Sequence, residues 1–276
     1  MKAQNTSSRT VVFVTGAFVS HISWAEWQTY FESRGYTVYA PAWPHKDGDP
    51  AVLRSQQPHA GIASVGLDEV LDYYTDFIRQ LPEKPILVGH SLGGLMVQLL
   101  LQRDIAVAGV AIHPAPPQGV LTFKWSFYKA TWRPLGFFSS VNESFLMTLD
   151  EWKYAFTNGM SEEEQRSSYE KYVIPESRRA SRQALTRIGR VDFTRPHVPL
   201  LITSGSEDNI LPASLNYTNF KKYRTPGSVT DYKEFPGRNH YVLGQPTWKE
   251  DADYILNWLE KNKVSAASPE KRSEVL

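Results

Sequence analysis

A serine set between two glycines is the residue best placed to do chemistry in this sequence. The pentapeptide Gly89-His90-Ser91-Leu92-Gly93 separates a β-type apolar run from a helical one. A sharp strand-to-helix turn strains the backbone of the central residue, and side chains at the flanking positions would collide there, which explains the glycines. The helix N-terminus below Ser91 would offer free N–H groups to a developing oxyanion. The pattern predicts a nucleophilic serine, although an ordinary glycine-rich turn has the same composition.

A serine hydroxyl needs a base at neutral pH, normally a histidine held by a carboxylate. Among the seven histidines, His240 follows the last predicted strand and so lies at the same sheet edge as Ser91. Asp208 follows the preceding strand, and we predict it as the acid that orients His240. Its neighbour Glu207 is the alternative acid, and helix capping is the alternative role for Asp208. The rival acid position, after the fourth strand, begins with His113 and offers no carboxylate.

An oxyanion hole needs a second backbone donor, which usually comes from the turn after the first strand. Thr15, Gly16, Ala17 and Phe18 occupy that turn. We predict the N–H groups of Leu92 and Ala17 as the donors, with Phe18 as the alternative to Ala17.

Other residues are candidates for contact with a substrate. His113 is expected at the carboxyl edge of the sheet, whereas His90 is expected to point away and support the turn. The candidate substrate-binding residues are Phe18, His113, Trp125, Trp132 and Tyr241. An aromatic residue on a helix is more often part of the core than of a substrate wall.

Strand and helix patterns alternate along the chain, as required to hold these residues at one edge. Short apolar or β-branched runs predict strands at 10–15, 36–40, 86–89, 106–112, 200–203 and 230–235. Apolar residues at helical spacing predict helices at 24–34, 67–81, 92–102 and 248–261, with a long loop at about 41–65. The alternation predicts an α/β fold: a mainly parallel sheet of about six strands, covered by helices on both faces.

The pattern changes after the fourth strand. Residues 115–189 contain aromatic and charged helical segments without strand signals, and we predict a helical cap there, lying over the carboxyl edge of the sheet. The α/β core would then comprise 10–114 and 190–262, preceded by a flexible N-terminus at 1–9 and followed by a disordered tail at 263–276.

Composition excludes several classes of function. The net charge of +1 gives no indication of nucleic-acid binding. The absence of cysteine excludes disulfides, thiolate catalysis and cysteine-based zinc sites. We expect no metal and no cofactor. The first ten residues are polar and lack the apolar core of a secretory signal, and no apolar run is long enough to span a membrane. The expectation is a soluble, cytoplasmic monomer or homodimer that acts on a small molecule.

The order of Ser91, Asp208 and His240, with an insertion between nucleophile and acid, resembles the α/β-hydrolase superfamily. More closely, the chain resembles its capped serine esterases and lipase-like hydrolases. The likeness covers about 10–262 and rests on TGAF at 15–18, GYTVYAPAWP at 35–44, GHSLGG at 89–94, GSEDNILP at 205–212 and NHYVL at 239–243. It implies hydrolysis of a carboxylic ester of a small to medium apolar substrate through an acyl-enzyme, without metal or cofactor.

Two other functions remain open on this fold. Hydroxynitrile lyases keep the serine and, like this chain at Thr15, carry threonine where the hydrolases usually have histidine before the oxyanion glycine. They normally have lysine after the catalytic histidine, whereas this sequence has Tyr241. A non-enzymatic ligand receptor is the second alternative, since a fold does not fix a function.

Overall fold

Six parallel strands form the central sheet. The structure is a computed structural model and describes residues 7–264. The strands are β1 Thr10–Val14, β2 Thr37–Tyr39, β3 Ile86–His90, β4 Ala108–Ile112, β5 Leu200–Gly205 and β6 Thr230–Phe235. Their order across the sheet is β2-β1-β3-β4-β5-β6, with every neighbouring pair parallel. Every residue of β1, β3, β4 and β5 is buried, because helices cover both faces of the sheet.

Eleven α-helices pack around this sheet in the described part of the chain. They are α1 Ala25–Ser33, α2 Pro50–Ser55, α3 Ala60–Ser64, α4 Leu67–Arg79, α5 Leu92–Leu101, α6 Trp125–Leu135, α7 Leu149–Ala155, α8 Glu162–Tyr172, α9 Arg178–Gln183, α10 Ala213–Lys222 and α11 Trp248–Lys261. Side chains alternate across β1: Val11 and Phe13 face the cluster that includes residues of α1 and α11, whereas Val12 and Val14 face the cluster that includes residues of α4 and α5. The predicted fold class is confirmed.

Two local predictions were wrong. The loop expected at 41–65 contains α2 and α3, which are short helices fixed by their own N-caps. The Asp49 carboxylate accepts hydrogen bonds from the N–H groups of Ala51 and Val52, and His59 Nδ1 accepts one from the N–H of Ile62. The block at 115–189 is also not free of strands, because Ser144–Phe145 and Glu176–Ser177 pair as a short antiparallel ribbon.

Residues 115–189 leave the sheet after β4 and return before β5, and we call them the inserted segment. The segment carries α6 to α9. It pairs with the turn that follows β1: Ile174 donates its N–H to Phe18 O and Ser20 donates its N–H to Tyr172 O, each over 2.9 Å. Its identity as a separate cap domain stays a prediction.

The predicted flexible ends, 1–9 and 263–276, lie mostly outside the described residues. Ser8 and Val264, which are described, are buried and joined by a backbone hydrogen bond of 2.9 Å. Across residues 7–264, none of the helices combines the length and the apolar character needed to cross a membrane.

Candidate active site

Ser91 lies in the strained turn that the glycine pattern predicts. It sits between β3 and α5 with φ 58° and ψ −122°, in the left-handed half of backbone space that a serine rarely adopts. A Cβ atom on Gly93 would collide with Val14 O, and one on Gly16 would lie 2.6 Å from His90 O. The glycines therefore let three backbone segments meet at the serine.

His240 and Asp208 reach Ser91 from the ends of two other strands. His240 Nε2 lies 2.9 Å from Ser91 Oγ, and His240 Nδ1 lies 2.7 Å from Asp208 Oδ2. A carboxylate only accepts, so Nδ1 carries the proton and Nε2 is free to accept the serine hydroxyl proton. The structure thus brings the three predicted residues into one chain of hydrogen bonds. Glu207 is exposed, and its carboxylate does not take part.

The Asp208 carboxylate accepts four hydrogen bonds. Oδ1 accepts from the N–H groups of Ile210 and Leu211, while Oδ2 accepts from His240 and from His113 Nδ1 at 3.1 Å. Burial opposes ionisation, but the charge of His240 and the hydrogen bonds from both histidines outweigh it and hold the pKa of Asp208 well below its usual value. The acid is therefore ionised at neutral pH and can stabilise an imidazolium.

Two further histidines lie beside this chain of hydrogen bonds, and the position of each differs from the predicted one. His113 is fully buried against Asp208 and does not line the substrate cavity, because its Nδ1–H is committed to the carboxylate. His90 does not point away from the site. Its Nε2 donates to His240 O at 2.9 Å, and the two rings lie 4.7 Å apart. Burial, together with the neighbouring His240 and His113, lowers the pKa of His90 well below its usual value.

His113, Asp208 and His240 also form the one group of side chains among residues 7–264 that could hold a metal ion, with ligand atoms within 4.8 Å of one another. Ligands of a tetrahedral zinc ion lie about 3.3 Å apart. The separations of 2.7 and 3.1 Å fit hydrogen bonds to a shared carboxylate oxygen better.

The turn after β1 is anchored at several points around Ala17. Thr15 N–H donates to the Tyr74 hydroxyl, Thr15 O accepts from Trp43 Nε1, and Phe18 N–H donates to Glu176 Oε2. Neither Ala17 N–H nor Leu92 N–H has an acceptor among the described residues. Both predicted oxyanion donors are thus available, whereas the alternative donor, Phe18, is already engaged.

An apolar cavity of about 100 Å³ opens beside Ser91. Core residues form one side of it, and α6 and α9 of the inserted segment form the other. The lining comprises Ala17, Phe18, Ser91, Leu92, Ala115, Pro116, Phe127, Thr131, Pro134, Leu135, Ser181, Ala184, Leu185, Ile210 and Leu211.

Of the candidate substrate-binding residues, only Phe18 lines this cavity. Trp125 and Trp132 lie on the outer face of α6, 76% and 57% exposed, because the other face of that helix forms the cavity wall. Tyr241 is buried against Trp152 and Tyr172 instead. Helical spacing alone cannot say which face of an inserted helix turns inward.

Sequence reasoning missed three residues that hold the site. Phe156 packs its ring 4.6 Å from that of His240 and accepts the N–H of Tyr241. Glu176 and Lys46 form a buried ion pair of 2.5 Å behind the turn after β1. The sequence gives no sign that a carboxylate and a lysine 130 residues apart form an ion pair. Nothing in the sequence distinguishes Phe156 from the other aromatic residues of the inserted segment.

Fold and site together define the class of protein. The sequence matches the alpha/beta hydrolase family over residues 11–250, and the chain belongs to that family. A search of curated proteins finds no significant match.

Solved structures with low identity share the fold. A monoacylglycerol lipase from Paleococcus ferrophilus has 22% identity and a TM-score of 0.67, over 94% of this chain and 97% of that one. A methylesterase from Arabidopsis has 16% identity and a TM-score of 0.64, over 91% and 98%. A pyrethroid hydrolase from Sphingobium faniae has 17% identity and a TM-score of 0.64, over 91% and 97%.

Proposed function

We propose that this protein hydrolyses carboxylic esters with an apolar acyl or alcohol group, using Ser91 as nucleophile. The observation that carries the proposal is the continuous hydrogen-bond chain from Ser91 Oγ through His240 to Asp208, at 2.9 and 2.7 Å, opening onto an apolar cavity. The lipase and the methylesterase that share this fold support the proposal by analogy of fold alone.

Acylation begins when Ser91 Oγ attacks the ester carbonyl and its proton passes to His240 Nε2. Ionised Asp208 stabilises the imidazolium that forms. The tetrahedral oxyanion accepts hydrogen bonds from the N–H groups of Ala17 and Leu92. Collapse of this intermediate breaks the bond to the alkoxy group, which takes the proton from His240 and leaves as the alcohol.

Deacylation repeats these steps with water. His240 removes a proton from the water that attacks the acyl-Ser91 carbonyl, and the second tetrahedral intermediate expels Ser91 as its oxygen regains that proton. The products are a carboxylic acid and free enzyme, and no group beyond this chain and water enters the reaction.

Hydrolysis of p-nitrophenyl esters from acetate to dodecanoate tests the proposal. We expect turnover by the wild type and loss of about 10³-fold or more in Ser91→Ala. Ser181→Ala is the matched control, because Ser181 also lines the cavity but its hydroxyl donates to Ser177 O and touches no member of the hydrogen-bond chain. The control should stay within about threefold of the wild type.

A wild type that is inert on the whole ester series would contradict the proposal. Cyanohydrin cleavage and ligand binding without turnover would then be the activities to measure. Equal activity in Ser91→Ala would remove Ser91 from the reaction altogether.

A further inference from the structure

The turn that carries Ala17 is held by a buried ion pair of the inserted segment. Glu176 is fully buried, and its Oε2 accepts both the N–H of Phe18 at 2.9 Å and the ammonium of Lys46 at 2.5 Å. Phe18 has φ 68°, a left-handed conformation that costs free energy in a non-glycine residue. Surrounding contacts must therefore impose it.

Lys46 ties the same carboxylate to the loop after β2. Its ammonium lies 3.9 Å from the Trp43 ring centroid, and Trp43 Nε1 donates to Thr15 O at the other end of the turn. The turn is thus fixed on both sides of Ala17, whose own N–H has no acceptor among residues 7–264. An unpaired carboxylate so close to the turn would oppose a developing oxyanion, and the charge of Lys46 offsets it.

We propose that Glu176 and Lys46 are positioning residues that fix the Phe18 peptide and thereby aim the N–H of Ala17 at the oxyanion. This inference rests on the proposed function. It also gives the inserted segment a role in catalysis besides enclosing the cavity, because the oxyanion turn takes its geometry from a residue of that segment.

Kinetics of three variants test this role. Glu176→Ala removes the acceptor for the Phe18 N–H and should lower kcat about tenfold to hundredfold with little change in KM, because the oxyanion exists only beyond the ground state. Glu176→Gln combined with Lys46→Met keeps an acceptor oxygen and removes both charges, and should recover kcat to within about fivefold of the wild type. Glu69→Ala is the control, since its carboxylate caps α4 by accepting the N–H of Gly66 and forms no hydrogen bond with this turn.

Rates are expressed per active site, titrated with a fluorophosphonate, so that a loss of folded protein does not count as a loss of kcat. An unchanged kcat per site in Glu176→Ala overturns the inference and leaves the proposed function intact. So does a double variant as slow as Glu176→Ala. A wild type that reacts neither with esters nor with the fluorophosphonate overturns the proposed function and this inference together.

A second observation concerns the outer face of α6 and the turn after it. Trp132, Phe137 and Phe138 are 57%, 53% and 91% exposed. Both phenylalanine rings contact Trp132, with ring centroids 6.4 and 6.2 Å from that of the indole. We call these three residues the aromatic patch. Exposed apolar clusters of this kind mark interaction surfaces.

The charges beside the patch indicate its partner. No aspartate or glutamate occurs from residue 115 to residue 142. Arg179 binds Asn142 Oδ1 and Arg182 binds the carbonyls of Leu135 and Ser139, and neither has a carboxylate partner among residues 7–264. Exposed aromatic rings beside guanidinium groups that have no carboxylate partner suit an anionic lipid surface, where the rings enter the headgroup boundary and the uncompensated positive charge attracts the anionic headgroups.

We infer that the aromatic patch binds anionic bilayers through the outer face of α6 and the turn after it. Ser91→Ala protein should co-sediment with phosphatidylcholine vesicles containing phosphatidylglycerol and much less with phosphatidylcholine alone. Adding Phe137→Ser and Phe138→Ser should weaken binding at least tenfold, whereas adding Tyr217→Ser, an exposed aromatic on α10, should not. This binding needs no turnover and is independent of the proposed function.

Equal binding by the patch variant and the control would overturn this second inference. So would an absence of binding to phosphatidylglycerol vesicles. A dimer in analytical ultracentrifugation that dissociates on the same two substitutions would then show that the patch covers a second copy of the chain.

Discussion

Asp208 shows at the scale of single residues how the site is held. One of its oxygens is shared by His240 and His113, so the carboxylate that orients the base is itself oriented by a second histidine. His113→Leu stays close to the side-chain volume of histidine and removes this donor. We expect a loss of about 1.5–3 kcal/mol in the free energy of unfolding, the usual contribution of a hydrogen bond to a charged group. Urea denaturation of both proteins at neutral pH measures it, and equal midpoints and slopes would contradict the expectation.

His90 makes stability depend on pH. Burial lowers its pKa well below the usual value, and protonation would place a second N–H on Nδ1, which has no partner among the described residues. Below pH about 6.5, His90 therefore binds a proton in the unfolded chain but stays neutral in the native protein. The free energy of unfolding should fall with acidification below that pH, by at most about 1.4 kcal/mol per pH unit from this group.

His90→Gln tests this dependence, because the amide can still donate to His240 O. Urea denaturation at pH 8 and pH 5 should give a smaller acid-induced loss in the variant than in the wild type. The pKa of Asp208, also lowered, affects stability only at lower pH, since its contribution is lost as pH falls from the unfolded pKa of about 3.9 toward the folded one. Identical losses in both proteins would remove His90 as the cause.

At the scale of elements, the turn at Ser91 depends on close backbone contacts. A methyl group on Gly93, in the first turn of α5, would strike Val14 O of β1, and β1 cannot move away without breaking its ladder with β3. Gly93→Ala should therefore cost about 3 kcal/mol or more. Gly119→Ala is the comparison, because nothing lies within 4 Å of an added Cβ there. Its positive φ of 85°, which Gly93 does not share, should cost only about 1–2 kcal/mol. Thermal unfolding that ranks the two variants equally would refute the steric argument.

What the sequence reveals about these elements follows from the range of the interactions. The strands of the central sheet and the helices α1, α4, α5 and α11 were predictable because burial imposes a period on their residues. The hydrogen-bond chain of Ser91, His240 and Asp208 could be predicted, because a nucleophilic serine requires a histidine and a carboxylate, and parallel strands place their carboxyl ends at one edge of the sheet. α2 and α3 escaped detection because caps at Asp49 and His59, rather than periodicity, define them. Glu176 could not be found because its role arises only when its segment folds against a turn 158 residues away.

At the scale of the whole molecule, the inserted segment and the core share one hydrophobic cluster. Met147, Trp152 and Phe156 pack in the same cluster as Val14 and Leu92. The hydrogen bonds of the Ile174 and Tyr241 N–H groups also cross between the two parts. Burial and hydrogen bonding that span both parts couple their unfolding. We therefore expect a single transition in urea, followed by tryptophan fluorescence and by circular dichroism with coincident midpoints.

Native-state hydrogen exchange extends this prediction to individual amides. The Ile174 and Tyr241 amides should exchange with free energies within about 1 kcal/mol of those of β3, because they open only when the cluster does. If the segment instead unfolds first, these two amides will exchange several kcal/mol below β3 and the urea curve will have two steps. That result would make the inserted segment an independent unit. The Phe18 peptide would then lose Glu176 at each opening, and the oxyanion turn would be formed only while the segment is closed.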